Sequence, residues 1–286
     1  MATIWLRELE RETKRTCSYM FQMMAGTSIG AIIAAGLSMP KENDRTIPVY
    51  DVSKLVELYK TCGRDIFIKK SCIFCNYNKS SYSLAPKYSS DGKRNLFEHY
   101  FGKTLLSECL TDIVIPIVRT GDTNTHLFTR NDSLYSISLI DVLMATIAAP
   151  TYFKPHILND INCIDGGVQM NNPTMAAYTK AIEYGYEKEN IFVLSLGTGD
   201  YIVDPLKPND HPNIIYYLKN LNTIAKVFLD SQQHNVDYQM SILMNDKHYY
   251  RWQVWFEESI ELDKYEIDVV NKLENMAYEY WEEMKI

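Results

Sequence analysis

Two short stretches of this sequence carry residue types suited to acyl chemistry: Gly26-Thr27-Ser28-Ile29-Gly30 and, far downstream, Asp165-Gly166-Gly167. A serine between two glycines serves as a nucleophile when it sits on a sharp strand-to-helix turn, because the strained backbone lifts its hydroxyl clear of the sheet. Gly26 and Gly30 would let strand and helix approach without Cβ clashes, and the following helix aims the positive end of its dipole at developing negative charge. Ser28 is the candidate nucleophile. The backbone N–H of Ile29 is the candidate donor to the oxyanion of a tetrahedral intermediate. Asp165 is the candidate proton acceptor, since a carboxylate can take the serine proton during attack and return it to the leaving alcohol without a histidine. Gly166 and Gly167 are expected to permit an unusual backbone conformation that turns the carboxylate toward the nucleophile. Taken alone, the serine motif also fits a helix cap, and Asp-Gly also fits a β-turn.

The flanking sequence supplies the elements such a turn needs. Residues 19–25 form an apolar run that suits a buried parallel strand, and residues 31–35 suit a helix. Helices are predicted at 52–59, around 96–101, at 139–148 before Pro150, and at 172–184. Strands are predicted at 113–118 and 125–129 about a turn at Gly121-Asp122, and at 191–196. Helix is expected to dominate from about 213 to 243, followed by an aromatic strand within 247–255 and a glutamate-rich helix at 269–284. The alternation of helix and strand predicts an α/β fold with a mostly parallel sheet in one domain, residues 1–286. Residues 63–95, rich in Lys, Ser, Tyr and Asn without a period, read as an irregular excursion near the mouth of the site.

A second arrangement is a triad in the order Ser, acid, His, for which Ser28, Asp200 and either His234 or His248 are available. His248 lies in the aromatic strand and reads as a surface histidine. His99, His126, His156 and His211 show no metal-ligand spacing and H-E-x-x-H does not occur, so neither a catalytic metal nor another cofactor is expected. Cys72 and Cys75 form a C-x-x-C without a second pair at zinc spacing. The six cysteines read as free thiols in a reducing compartment, with Cys17 and Cys163 packing as small hydrophobes.

With 29 basic and 36 acidic residues the net charge is −7, which gives nucleic acid no electrostatic footprint and a membrane no large cationic field. Apolar groups would meet the substrate surface instead. The apolar stretch 19–40 is interrupted by Gln22, Thr27, Ser28 and three glycines, which a strand-turn-helix explains and a spanning helix does not. With dense mixed charge in the first fifteen residues, no cleavable signal peptide is expected. The 21 tyrosines, with abundant Ile, Asn and Lys, suit an AT-rich coding sequence such as some intracellular bacteria and large viruses carry. The expected location is cytoplasmic, at the periphery of membranes, or a host cell reached without a signal peptide.

The order and spacing of Gly26-Thr27-Ser28-Ile29-Gly30, Ala145-Thr146-Ile147-Ala148-Ala149-Pro150-Thr151-Tyr152-Phe153, Ile164-Asp165-Gly166-Gly167 and Leu194-Ser195-Leu196-Gly197-Thr198-Gly199 resemble the successive signature segments of the patatin-like phospholipase family. Leu127-Phe128-Thr129-Arg130 and the acidic terminal helix bring the likeness nearest to the plant-patatin branch. The resemblance implies a three-layer α/β/α sandwich, hydrolysis of acyl esters of lipids at a membrane surface, Ser28 as nucleophile and Asp165 as its proton acceptor. Members of the family open with a strand and a glycine-rich loop of the form D-G-G-G-x-R-G that builds most of the oxyanion hole. This chain is expected to begin just after that strand, with residues 1–10 as the helix that follows. Two expectations follow from that: a start lying upstream of Met1, or a pseudoenzyme that keeps the fold as a lipid- or protein-binding module.

Overall fold

The computed structural model describes residues 1–69, 86–122, 124–131, 136–201, 221–245, 247–258, 260, 261 and 263–285. The chain opens with α1 (Ala2–Thr13), a short α2 (Cys17–Met20), β1 (Met23–Ala25) and α3 (Ile29–Ser38). The strand predicted over 19–25 is thus shortened from its start, because Tyr19 and Met20 belong to a helical turn closed by Phe21 N–H on the Cys17 carbonyl. A small hairpin, β2 (Pro40–Lys41) and β3 (Asp44–Pro48), leads to α4 (Val52–Thr61), whose first turn is capped by the Asp51 carboxylate on Lys54 N–H. Then come α5 (Gly63–Ile66) and α6 (Asp91–Phe101). Both described ends of the 63–95 excursion are therefore helical; residues 70–85, with Cys72 and Cys75, lie outside the described residues.

The hairpin β4 (Asp112–Arg119) and β5 (Thr125–Thr129) is followed by α7 (Leu139–Thr146), capped by Ser138 on Asp141 N–H. A second hairpin, β6 (His156–Leu158) and β7 (Ile161–Asp165), runs into α8 (Gly167–Met170) and α9 (Thr174–Glu183). Next are β8 (Val193–Leu196) and β9 (Asp200–Tyr201), then α10 (Leu221–Leu243), β10 (Tyr249–Trp252), β11 (Trp255–Phe256) and α11 (Ile267–Met284). His211 and the start of the helix expected from 213 lie outside the described residues.

The sandwich is an α/β one, but its central sheet is mixed where a mostly parallel one was expected. β4 pairs in parallel with β1 and antiparallel with β5 and β7, and β6 pairs antiparallel with β7. The reason is local. Asn159 and Asp160 both take positive φ, 48° and 61°, the geometry of a tight two-residue hairpin turn, and residues 120–124 are too few for a crossover. The crossovers that do occur give the parallel ladders β1/β4, β8/β10 and β9/β11. Ile113, Ile115 and Ile117, alternate residues of β4, are buried among side chains of α3, α6 and α7. α8 and α9 also pack on β4, and α9 packs on β1 and β8. Trp5, fully buried, closes α1 against α11 by donating its indole N–H to the Ala277 carbonyl at 2.9 Å.

Candidate active site

Two strands reach the site from opposite directions along one edge of β4. β5 occupies the other edge from Val114 to Val118, so β1, in register up to Ala25 against Val114, and β7, ending with Asp165 against Ile117, must share the remaining edge. Only Ile115 and Pro116 lie between the two ladders. Pro116 has no N–H to offer a strand, and its carbonyl accepts the Thr146 hydroxyl at 2.8 Å. Both chains turn out of the sheet at this gap, which brings together two residues 137 positions apart: Ser28 Oγ donates to Asp165 Oδ2 at 2.6 Å.

Ser28 sits at the N-cap of α3 with φ 52° and ψ −124°, a conformation that costs a non-glycine residue about 1–3 kcal/mol. The turn is held by Gly26 N–H on the Val114 carbonyl at 3.1 Å and by Ser28 N–H on Thr146 Oγ1 at 3.1 Å. The two glycines of the motif are not equivalent. A Cβ on Gly26 would lie 2.2 Å from the Gly30 carbonyl oxygen, so this position demands glycine. A Cβ on Gly30 would meet nothing within 4 Å, so the expected clash relief does not apply there. Ile29 occupies the first position of α3, where an N–H has no intrahelical acceptor and the helix dipole is positive.

Asp165 is 5% exposed. Its backbone N–H is taken by the Ala148 carbonyl at 3.1 Å, and its Oδ1 accepts Gly167 N–H at 2.8 Å. Burial pushes its carboxyl up to about 6, against the opposing pull of the Ser28 hydroxyl, the Gly167 amide and the positive charge of Lys93. Gly166 is needed for a different reason from the one expected. Its φ of −61° is ordinary, but a Cβ there would lie 2.1 Å from the Pro116 carbonyl oxygen, so glycine serves close approach to β4.

Asp200 and His234 do form a pair, joined on the carboxylate by Gln233 Nε2 at 3.4 Å. The Ser28 hydroxyl has one proton, and it points to Asp165; neither of these residues receives it. His248 is half-buried with its ring 4.4 Å from that of Phe192. Among the described residues no group of three His, Cys, Asp or Glu side chains is gathered as a metal site requires. Cys17, Cys62, Cys109 and Cys163 are free and buried. A cavity of about 260 Å³ is lined by residues that include Leu127, Gln169, Met170, Asn172, Met175 and Val236 but neither Ser28 nor Asp165; the Met170 carbonyl accepts the hydroxyl of Thr27 at 2.7 Å.

Sequence reasoning missed two residues. Lys93 is 1% exposed, and Thr146 is fully buried between the Ser28 amide and β4. A signal existed for both. Lys93 shares the apolar stripe of Leu96, Phe97 and Phe101, and Thr146 that of Leu139, Val142 and Leu143, so each breaks a hydrophobic face at helical spacing.

A sequence profile described as Patatin-like phospholipase matches residues 5–178. The chain belongs to the patatin-like phospholipase family. The matched patatin-like span contains Ser28, Lys93, Thr146 and Asp165, whereas Asp200, His234 and His248 fall outside it. The chain is 32% identical over 221 residues to Patatin-like protein 1 of Arabidopsis thaliana, covering 68% of this chain and 52% of that protein. It is 28% identical over 226 residues to Patatin-like protein 3 of the same plant, covering 68% and 53%. Patatin-like protein 1 of Oryza sativa subsp. indica is 27% identical over 275 residues, covering 85% and 65%. The chain thus spans about half the length of the first two relatives. No described helix is long and apolar enough to cross a membrane.

Proposed function

We propose that this chain is a lipid acyl hydrolase of the phospholipase A or esterase type, working through a Ser28–Asp165 dyad. Ser28 Oγ attacks the ester carbonyl while Asp165 takes its proton. The tetrahedral oxyanion meets the Ile29 N–H at the start of α3, and collapse expels the alcohol, which regains the proton from Asp165. Water then attacks the acyl-serine, again with Asp165 as base, and frees the fatty acid. The observation that carries this reading is the 2.6 Å hydrogen bond from a serine on a strained elbow to a buried carboxylate. A carboxyl near 6 is ionised at neutral pH and still basic enough to accept a proton in the transition state. The acidic net charge leaves apolar contact as the means of meeting a lipid surface.

The test is hydrolysis of p-nitrophenyl butyrate and of phosphatidylcholine vesicles by the wild type, Ser28→Ala, Asp165→Asn and His234→Ala. Both dyad variants are expected to lose at least a hundredfold in kcat, about the loss seen when one catalytic group is removed, with His234→Ala close to wild type. Turnover that survives Ser28→Ala overturns the dyad. A folded wild type that neither turns over ester nor reacts at Ser28 with a fluorophosphonate supports the lipid- or protein-binding reading instead.

A further inference from the structure

A lysine is almost never fully buried without a partner, yet Lys93 on α6 is 1% exposed. Its Nζ donates to the Ile147 carbonyl at 2.9 Å and stands 4.0 Å from the centroid of the Phe153 ring. Ile147 is the middle residue of a three-residue strut. On one side of it, Thr146 Oγ1 accepts the Ser28 amide and donates to Pro116; on the other, the Ala148 carbonyl accepts the Asp165 amide. One carbonyl and one ring face do not replace the water an ammonium loses, so this burial is unfavourable in itself. A methionine would fill the same space without that penalty.

We propose that Lys93 is a positioning residue for the reaction: fixed on the Ile147 carbonyl behind the dyad, its ammonium keeps Asp165 ionised as the proton acceptor. The proposal rests on the reading of Ser28 and Asp165 given above. The charges involved are few. The positive charge of Lys93 on α6 acts on Asp165 of β7 after burial, the Ser28 hydroxyl and the Gly167 amide; Asp165 and Arg94 act on Lys93, and Arg94 in turn acts on Asp141 of α7. Burial lowers Lys93 to about 7, so the ammonium is present over the acid limb, below pH 7, and is lost above it.

The experiment measures kcat/KM for p-nitrophenyl butyrate from pH 5 to 9, together with the rate of fluorophosphonate labelling, in the wild type, Ser28→Ala, Lys93→Met, Lys93→Gln and Lys93→Arg. Removing a nearby opposite charge raises a carboxyl, so the acid limb should move up, by as much as about one pH unit, in Lys93→Met and Lys93→Gln. Activity at pH 6 would fall by up to about fivefold and activity at pH 8.5 would change less than about twofold. Lys93→Arg keeps the charge and should keep the limb in place. A side chain that served packing alone would alter thermal stability and leave the limb where it was. A limb unmoved in Lys93→Met and Lys93→Gln, or moved equally in Lys93→Arg, overturns the proposal. If the wild type shows neither turnover nor labelling that depends on Ser28, the reading of the dyad fails; if it shows both and the limb stays fixed, only the role of Lys93 fails.

Discussion

Replacing Asp165 by Asn separates what the site does for chemistry from what it does to the fold. Asp165 is 5% exposed, and burial lifts its carboxyl from an ordinary 3.8 to about 6. A carboxyl raised in the native state binds its proton more tightly there than in the unfolded chain. Its stabilising contribution is therefore complete below pH 3.8 and is lost as pH rises through 6. At about 1.36 kcal/mol per pH unit, the ionised side chain above pH 7 costs the fold on the order of 3 kcal/mol. Asparagine has the same shape, can accept the Gly167 N–H and can donate to Ser28 Oγ, but carries no charge. Asp165→Asn should therefore abolish turnover and yet be more stable than the wild type at pH 8, by up to about 3 kcal/mol, with roughly half that gap at pH 5. Urea unfolding followed by circular dichroism at pH 5, 6.5 and 8 measures the gap directly. A variant no more stable than wild type at pH 8, or a gap that does not grow with pH, refutes the claim that a carboxylate is held there against its desolvation.

Thr146→Val keeps the shape of the strut but strips the Ser28 amide of its acceptor; unfolding free energy should fall by about 1–3 kcal/mol and kcat should drop with KM little changed, both restored by Thr146→Ser. Thermal melts should separate the two glycines of the serine motif: Gly26→Ala, whose Cβ meets backbone, should lose about 1–3 kcal/mol, whereas Gly30→Ala, facing open space within a helix, should be neutral or gain up to about 1 kcal/mol. Ser28→Gly relieves the positive φ, so it should raise the melting temperature above that of Ser28→Ala while both remain inactive; equal melting temperatures would show that the elbow stores no strain.

Much of this arrangement was legible because it is written in local pattern. The helices at Val52–Thr61 and Leu139–Thr146 follow apolar spacing of 3.6, and the strand Thr125–Thr129 lies where alternation and the Gly121-Asp122 turn put it. The glycines beside Ser28 and Asp165 singled out two residues whose side chains the fold brings into contact. The mixed sheet was not legible, since strand direction is set by connection length and turn geometry, and Asn159-Asp160 is a weaker hairpin signal than Asn-Gly. Nor was the start of β1, where apolar residues 19 and 20 suit a helical turn as well as a strand. The contributions of Lys93 and Thr146 depend on burial reached only in the assembled fold. Their single trace in the sequence is a polar residue on an apolar helical stripe.

On the dyad proposed above, two residues would do the work for which serine hydrolases commonly use three. In a triad the third group orients the base. In the proposed dyad that task would fall to the backbone. Asp165 is fixed through its amide by the Ala148 carbonyl, through Oδ1 by the Gly167 amide, and through the absent Cβ of Gly166, which lets the chain lie against the Pro116 carbonyl. Ser28 is fixed through its own amide by Thr146, one residue before the carbonyl that holds Lys93 and two before the one that holds Asp165. Besides the hydrogen bond between Ser28 and Asp165, all three residues, Ser28, Lys93 and Asp165, are thus referred to one tripeptide at the end of α7. A change that displaces residues 146–148 should disturb all three together, whereas a change on β5, which occupies the far edge of β4, should reach none of them directly.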